Sequence, residues 1–227
     1  MGASGFGRPD LLKSMDISRC EKYIELTQVS LEPHLEDLKE KALEDGIPII
    51  RPSVQGFLRF LMKYSAPSNI LEIGTAVGFS ALLMHEYAPD AAITTIENYE
   101  PRLVKARENI AAHGDGRIDL KEGNAEDILP GLKDEAYDLI FLDAAKGQYI
   151  TLLPDIIRLL APGGLLVSDN VMQDGDVIES RFAVRRRDRT IHERMREYLK
   201  AVSDSPELES AILPMADGVT ISVRTKA

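Results

Sequence analysis

The 227-residue chain has one cysteine, Cys20, and no uninterrupted apolar run of membrane-spanning length. A lone thiol excludes an internal disulfide and fits a reducing, cytoplasmic setting. The missing apolar run argues against a membrane span. Met1 to Pro9 are rich in Gly and Ser and lack the apolar stretch of a secretory signal. Phe6 also departs from the myristoylation pattern that Met1-Gly2 opens. There is no GxGxxG fingerprint and no GxxxxGK[ST] loop, which disfavours a pyrophosphate cradle. Internal repeats and low-complexity tracts are absent too. Basic residues are outnumbered, 27 Lys and Arg against 37 Asp and Glu, for a net charge of −10. Taken over the whole surface, that balance counts against a nucleic-acid partner.

What is present is organised around Ile70-Leu71-Glu72-Ile73-Gly74-Thr75-Ala76-Val77-Gly78-Phe79-Ser80. A short apolar run, enough for a buried strand, breaks at Gly74 and restarts at Phe79 as an apolar-periodic helix through Tyr87. Strand, glycine turn and helix form the opening unit of a nucleotide-type α/β fold, in which Gly74 and Gly78 let a ligand approach the backbone. A second strand, Ala91 to Ile96, ends at Glu97. A carboxylate there, roughly 20 residues past the turn, is placed to accept ribose hydroxyls. A ribose acceptor without a phosphate cradle points to S-adenosylmethionine rather than a dinucleotide. Here Leu71-Glu72-Ile73-Gly74 resembles the first motif of class I methyltransferases.

Residues 1–16 read as a flexible arm and 17–227 as one domain. Helices are expected over Ile17–Val29, Pro33–Glu44 and a third segment capped by Ser53, with Ile47-Pro48-Ile49-Ile50 extended between the last two. Together these helices look like a lid on the fold. Beyond Glu97 the pattern predicts a helix over Pro101–His113, a strand over Arg117–Lys121 and a short helix from Gly123-Asn124-Ala125 to near Gly131. A strand over Tyr137–Leu142 stopping at Asp143, a helix over Tyr149–Leu160 and a strand over Leu165–Ser168 stopping at Asp169-Asn170 complete the alternation. Ala211–Leu213 and Val219–Val223 flank Asp217-Gly218 as a hairpin. The expected fold is thus α/β, a parallel sheet covered on both faces and finished by an antiparallel strand.

Asp143, Asp169 and Asn170 fall at the carboxyl ends of neighbouring strands, the edge where open α/β sheets bind ligands. Two carboxylates and an amide make a hard oxygen set that suits Mg²⁺, and no His or Cys lies near enough in sequence to favour zinc. Lys146 would project into the same crevice, where a cation beside it favours its neutral form, making it a candidate general base.

Three ordered stretches now carry a specific resemblance: Asp143-Ala144-Ala145-Lys146-Gly147-Gln148-Tyr149, Asp169-Asn170-Val171, and Leu213-Pro214-Met215-Ala216-Asp217-Gly218. From about Ile47 to Val223 the chain is similar to the cation-dependent O-methyltransferases, the family of catechol and caffeoyl-CoA O-methyltransferases. The resemblance implies a Rossmann-like class I fold with a mostly parallel seven-stranded sheet and an antiparallel last strand. It implies that Asp143, Asp169 and Asn170 bind a divalent metal such as Mg²⁺ and that Lys146 is the base. It places Ile50, Gly74, Ser80, Glu97, Asn124, Ala125 and Asp143 where members of the family contact S-adenosylmethionine, and it implies a homodimer. Ala144-Ala145 departs from the bulkier residues of catechol enzymes at that place, which weighs against a catechol pocket.

One segment reverses the charge balance. Arg181, Arg185, Arg186, Arg187, Arg189, Arg194 and Arg196 face only Asp188 and Glu193, a local +5 that leaves −15 for the remainder. Such runs are commonly solvated helix faces, and Ile191, Met195, Tyr198 and Leu199 do suggest a helix. This run follows Asp169-Asn170 closely, however, so an arginine rim beside the site is expected to favour a polyanion such as RNA. The combination of Ile-Pro-Ile-Ile, Asp-Ala-Ala-Lys-Gly-Gln-Tyr and Arg185-Arg186-Arg187 is similar to bacterial tRNA 5-hydroxyuridine methyltransferases. That resemblance implies tRNA as substrate, 5-methoxyuridine at the anticodon wobble position as product, and Arg185, Arg186, Arg187 and Arg189 as tRNA contacts. The alternative is a catechol or phenylpropanoid O-methyltransferase whose arginines bind a phosphate or carboxylate tail. A cofactor-binding module with decayed chemistry is disfavoured by the intact Asp143, Lys146, Asp169 and Asn170.

Overall fold

The computed structural model describes residues 17–225, so the expected arm over 1–16 lies outside the described residues. Three helices come first: α1 (Ile17–Thr27), α2 (Pro33–Glu44) and α3 (Pro52–Ser65). The alternating part follows as β1 (Asn69–Ile73), α4 (Phe79–Tyr87), β2 (Ala92–Glu97), α5 (Glu100–His113), β3 (Ile118–Glu122), α6 (Ala125–Ile128), β4 (Tyr137–Leu142), α7 (Tyr149–Leu159) and β5 (Leu160–Ser168). Helix α8 (Arg189–Asp204) and the hairpin strands β6 (Leu208–Leu213) and β7 (Val219–Arg224) close the chain. Among the described residues no helix is long and apolar enough to cross a membrane.

The seven strands lie in the order β3-β2-β1-β4-β5-β7-β6. The first five are parallel, and β7 runs antiparallel to both β5 and β6. Period-two alternation sends consecutive β1 residues to opposite faces. Ile70 joins the core made with Leu35, Leu58, Leu61, Leu82 and Leu83, whereas Leu71 and Ile73 join the one made with Leu152, Ile156, Met195 and Tyr198. The N-terminal helices therefore belong to one covering layer, and the Pro48–Arg51 stretch between α2 and α3 lines a cleft at the carboxyl edge of the sheet. Strand order reverses between β1 and β4, and at such a switch point the loops leave in opposite directions and open a crevice.

Two local expectations are corrected. Ser53 does not cap α3: Arg51 flanks the helix, Pro52 opens it, and the Ser53 N–H and hydroxyl both donate to the Glu21 carboxylate of α1. Proline at the first helical position needs no partner for a missing N–H, so Ser53 is free to tie the two helices together. The fifth strand starts at Leu160 rather than Leu165. Leu160 pairs with Tyr137 and Leu165 with Leu139, so Ala161-Pro162-Gly163-Gly164 bulges between them. Pro162 has no N–H for the ladder and Gly163 sits at φ 84°, which together force the bulge.

Candidate active site

At the carboxyl edge of the sheet a cleft of about 600 Å³ opens between the ends of β1, β2, β4 and β5. The strand ends are laced together: Gly74 N–H donates to Ile96 O at 3.0 Å, Asp143 N–H to Ile73 O at 2.9 Å and Asp169 N–H to Leu142 O at 3.0 Å. Gly74 has φ 108°, and a Cβ there would lie 2.0 Å from the Asp143 carbonyl oxygen. No other residue type fits where β1 passes β4.

Glu97, at the end of β2, is 8 % exposed. One of its oxygens accepts the Ala76 N–H at 2.9 Å, and the other accepts those of Asn98 and Tyr99 at 3.0 and 2.8 Å. Three N–H donors hold the carboxylate aimed, while a carboxylate's roughly four lone-pair sites leave room for a ligand hydroxyl. Beneath the turn, Glu72 is fully buried and accepts the Thr95 hydroxyl, which is in turn bonded by that of Thr75. Burial pushes Glu72 up to about 7, against the hydrogen bonds of Ser80 and Thr95.

Asp143 and Asp169 end β4 and β5 side by side. Burial raises Asp143 to about 6, opposed by the charges of Lys146 and Arg102. Asp169, 1 % exposed, is raised to about 7 by burial and then by the charge of Asp143, although the Asn170 N–H donates to it at 2.7 Å. Asn170 follows in the left-handed region at φ 56°. Among the described residues no three His, Cys, Asp or Glu side chains form a metal cage. Two mutually repelling, desolvated carboxylates beside an amide nonetheless fit a hard divalent ion that keeps water or substrate oxygens in its remaining positions.

Lys146 opens a single 3-10 turn, Lys146–Gln148. Its ammonium donates to Asp217 Oδ2 at 3.3 Å. Asp217 is 6 % exposed and belongs to the β6–β7 turn, which is docked on the loop after β5. There Val171 N–H donates to Gly218 O at 3.0 Å and Met172 N–H to Asp217 O at 2.8 Å. The three motifs that carry the sequence resemblance are thus one physical unit. Tyr149 completes it: the fully buried hydroxyl donates between Leu142 O and Asp169 O, at 3.2 and 3.0 Å, bracing the ends of β4 and β5.

Of the residues expected from sequence, Ile50, Gly74, Glu97, Ala125, Asp143, Lys146, Asp169 and Asn170 line this cleft together. Ser80 lies buried beside Glu72 below it. Asn124 is exposed and accepts the Asn98 amide at 2.7 Å. Arg185, Arg186 and Arg187 are exposed in turns before α8, and Arg189, at its start, donates to Val184 O at 3.3 Å. These four do not line the cleft. The connection runs through Arg194, whose guanidinium donates to Gly147 O at 2.8 Å beside Lys146. Asp217, Arg51 and Arg102 line the cleft and Tyr149 braces it, roles that the sequence pattern does not assign to them. Only Asp217 and Tyr149 carried a signal, since both sit inside the stretches that bear the resemblance.

Residues 25–225 match the O-methyltransferase family. The chain is 37 % identical over 144 residues to a catechol O-methyltransferase of Niastella koreensis, covering 60 % of this chain and 65 % of that one. It is 31 % identical over 223 residues to an inferred O-methyltransferase of Mycobacterium avium, covering 91 % and 93 % of the two chains. Among solved structures, an SAH-bound methyltransferase of Podospora anserina superposes with a TM-score of 0.81 at 28 % identity, covering 92 % of this chain and 97 % of the other.

Proposed function

Since the chain belongs to the O-methyltransferase family, we propose that it carries the methyl group of S-adenosylmethionine to the hydroxyl of 5-hydroxyuridine at the tRNA wobble position, yielding 5-methoxyuridine. The observation that carries the reading is the joining of two features by one contact. The Asp143, Lys146, Asp169 and Asn170 constellation abuts, through the Arg194–Gly147 bond, the one strongly basic segment of an acidic chain.

In this reading Glu97 accepts a ribose hydroxyl of the methyl donor, and the bare Gly74 backbone lets the donor lie against the β1–β4 crossing. Asp143, Asp169 and Asn170 would hold a divalent cation, which when bound supplies Lewis-acid stabilisation of negative charge on the substrate oxygen. Lys146, in its neutral form, takes the hydroxyl proton at Nζ, and the ammonium it becomes donates to Asp217, which keeps that nitrogen aimed into the cleft. The oxygen–methyl bond forms as the sulfonium–methyl bond breaks, and alignment in the cleft is the protein's main contribution. A cytoplasmic homodimer accompanies the proposal. The apolar side chains left outward on α1 and α3 support it: Tyr23, Leu26, Phe60 and Tyr64 are all exposed, with Phe60 stacked on Tyr64 at 5.6 Å.

A small-molecule reading is favoured by the Niastella koreensis relative, a catechol O-methyltransferase. Salt dependence separates the two. RNA affinity should fall with salt by a log–log slope of about −0.7 to −0.9 per phosphate neutralised. The Arg185→Ala, Arg186→Ala, Arg187→Ala triple variant should bind tRNA more weakly and flatten that slope by about two to three. Its affinity for S-adenosylmethionine should not change, because the three side chains lie outside the cleft. A wild-type protein whose tRNA binding is indifferent to salt, or a triple variant with an unaltered slope, would contradict the assignment of these arginines.

A further inference from the structure

The arginine segment also carries an apolar side chain that the cleft does not use. Phe182 is 86 % exposed, the most exposed large apolar side chain among the described residues, and Ile178, four residues earlier, is 77 % exposed. A phenylalanine in water loses the burial free energy that ordinarily places it inside. The surrounding backbone is not loose, either. Val184 is buried. Helix α8 clamps the segment from below: Arg196 donates to Val177 O at 3.3 Å and Glu179 O at 3.2 Å, and His192 Nε2 lies 3.2 Å from Glu179 O. Arg189 holds Val184 O, and Arg181 pairs with Glu193 of α8 at 2.9 Å. Phe182 is therefore presented outward between anchored points, three residues before the run Arg185, Arg186 and Arg187.

An exposed aromatic ring on an anchored backbone, in one segment with a run of arginines, suits unpaired nucleic acid. Every base has a π face that stacks on such a ring, and the arginines take the neighbouring phosphates. We propose that Phe182 is a stacking platform for an unpaired base of single-stranded RNA, with Arg185, Arg186 and Arg187 holding the flanking backbone. The charge distribution supports this occupant over a protein or lipid tail: the segment is +5 and the remainder −15, so a polyanion is drawn to this strip and repelled elsewhere. The inference rests on the RNA reading proposed above and adds what that reading lacks, a contact that senses single-strandedness rather than charge.

The chain contains no tryptophan, so Phe182→Trp introduces a lone reporter at the platform. Titrated with a ten-nucleotide single-stranded RNA, its fluorescence should be quenched, and a duplex of the same sequence should quench it far less. Phe182→Ala should bind the single strand about 5- to 100-fold more weakly, with the salt slope unchanged. Phe182→Tyr should bind like wild type, whereas Phe182→Leu should resemble Phe182→Ala. Because the side chain is outside the core, circular dichroism and melting should be unaltered in all four. Equal binding by wild type and Phe182→Ala, with the arginine triple variant weakened, would overturn the stacking platform and leave the RNA reading standing. Wild-type affinity in Phe182→Leu would also overturn it, by showing apolar contact without stacking. Failure of the wild type to bind RNA at all would remove the RNA reading, and this inference with it.

Discussion

Asp169→Ala should lose methyl transfer by about 10³-fold or more, the scale of a removed Lewis-acid site worth several kcal/mol. Asp169 is 1 % exposed at the end of β5, braced through its backbone by the Tyr149 hydroxyl and through its side chain by the Asn170 N–H. It stands beside a second desolvated carboxylate, Asp143, so the pair repels in the absence of a cation. Removing one member should therefore leave the fold intact while deleting the reason for a divalent ion to bind. Two readouts distinguish this from simple damage. Excess chelator should stop the wild-type enzyme and added Mg²⁺ restore it. The wild-type melting temperature should rise with Mg²⁺ as a ligand of the folded state, whereas that of Asp169→Ala should not respond. S-adenosylmethionine should still bind the variant, because Glu97 and the Gly74 turn are untouched. Full wild-type activity in chelator, or an unchanged Mg²⁺ response in the variant, would contradict the assignment.

The second large effect is at Lys146. As the group proposed to take the substrate proton, it should contribute about 10²-fold or more to the chemical step at neutral pH, the ordinary worth of a positioned base. Lys146→Ala should therefore be slow at pH 7 and recover part of its loss as pH rises, since more substrate hydroxyl is then ionised without help. The loss should appear in kcat rather than in the affinity for S-adenosylmethionine. Single-turnover rates from pH 6 to 10 give the answer: a wild-type pH profile in the variant would mean that Lys146 has another task.

The features legible in the chain were those that depend on neighbours in sequence. The β1–Gly74–α4 unit, Glu97 at the end of β2, and the stops at Asp143 and Asp169 are all announced by an apolar run meeting a polar or glycine residue. The structure brings them to one edge because parallel strands share a carboxyl end. What stayed hidden depends on distant partners. Asp217 reads as a hairpin residue, and only the docking of the β6–β7 turn on Val171 and Met172 carries it to Lys146, 71 residues away in sequence. Tyr149 reads as the start of a helix, yet its hydroxyl braces two strand ends. Glu72 looks like an ordinary polar residue within a strand. In a central strand covered on both faces it becomes a fully buried carboxyl, which periodicity alone does not reveal. Ser53 reads as a helix cap for the same reason, since its partner Glu21 is on another helix. The arginine run was visible as charge, but its link to the site, Arg194 to Gly147, exists only in the folded chain.

Transfer of a labelled methyl group from S-adenosylmethionine to tRNA carrying 5-hydroxyuridine, followed by nucleoside digestion and mass spectrometry, tests the central claim most directly. The account predicts labelled 5-methoxyuridine with Mg²⁺ present and none in chelator. Absence of that nucleoside from the digest, with efficient methylation of small catechols by the same preparation, would contradict it.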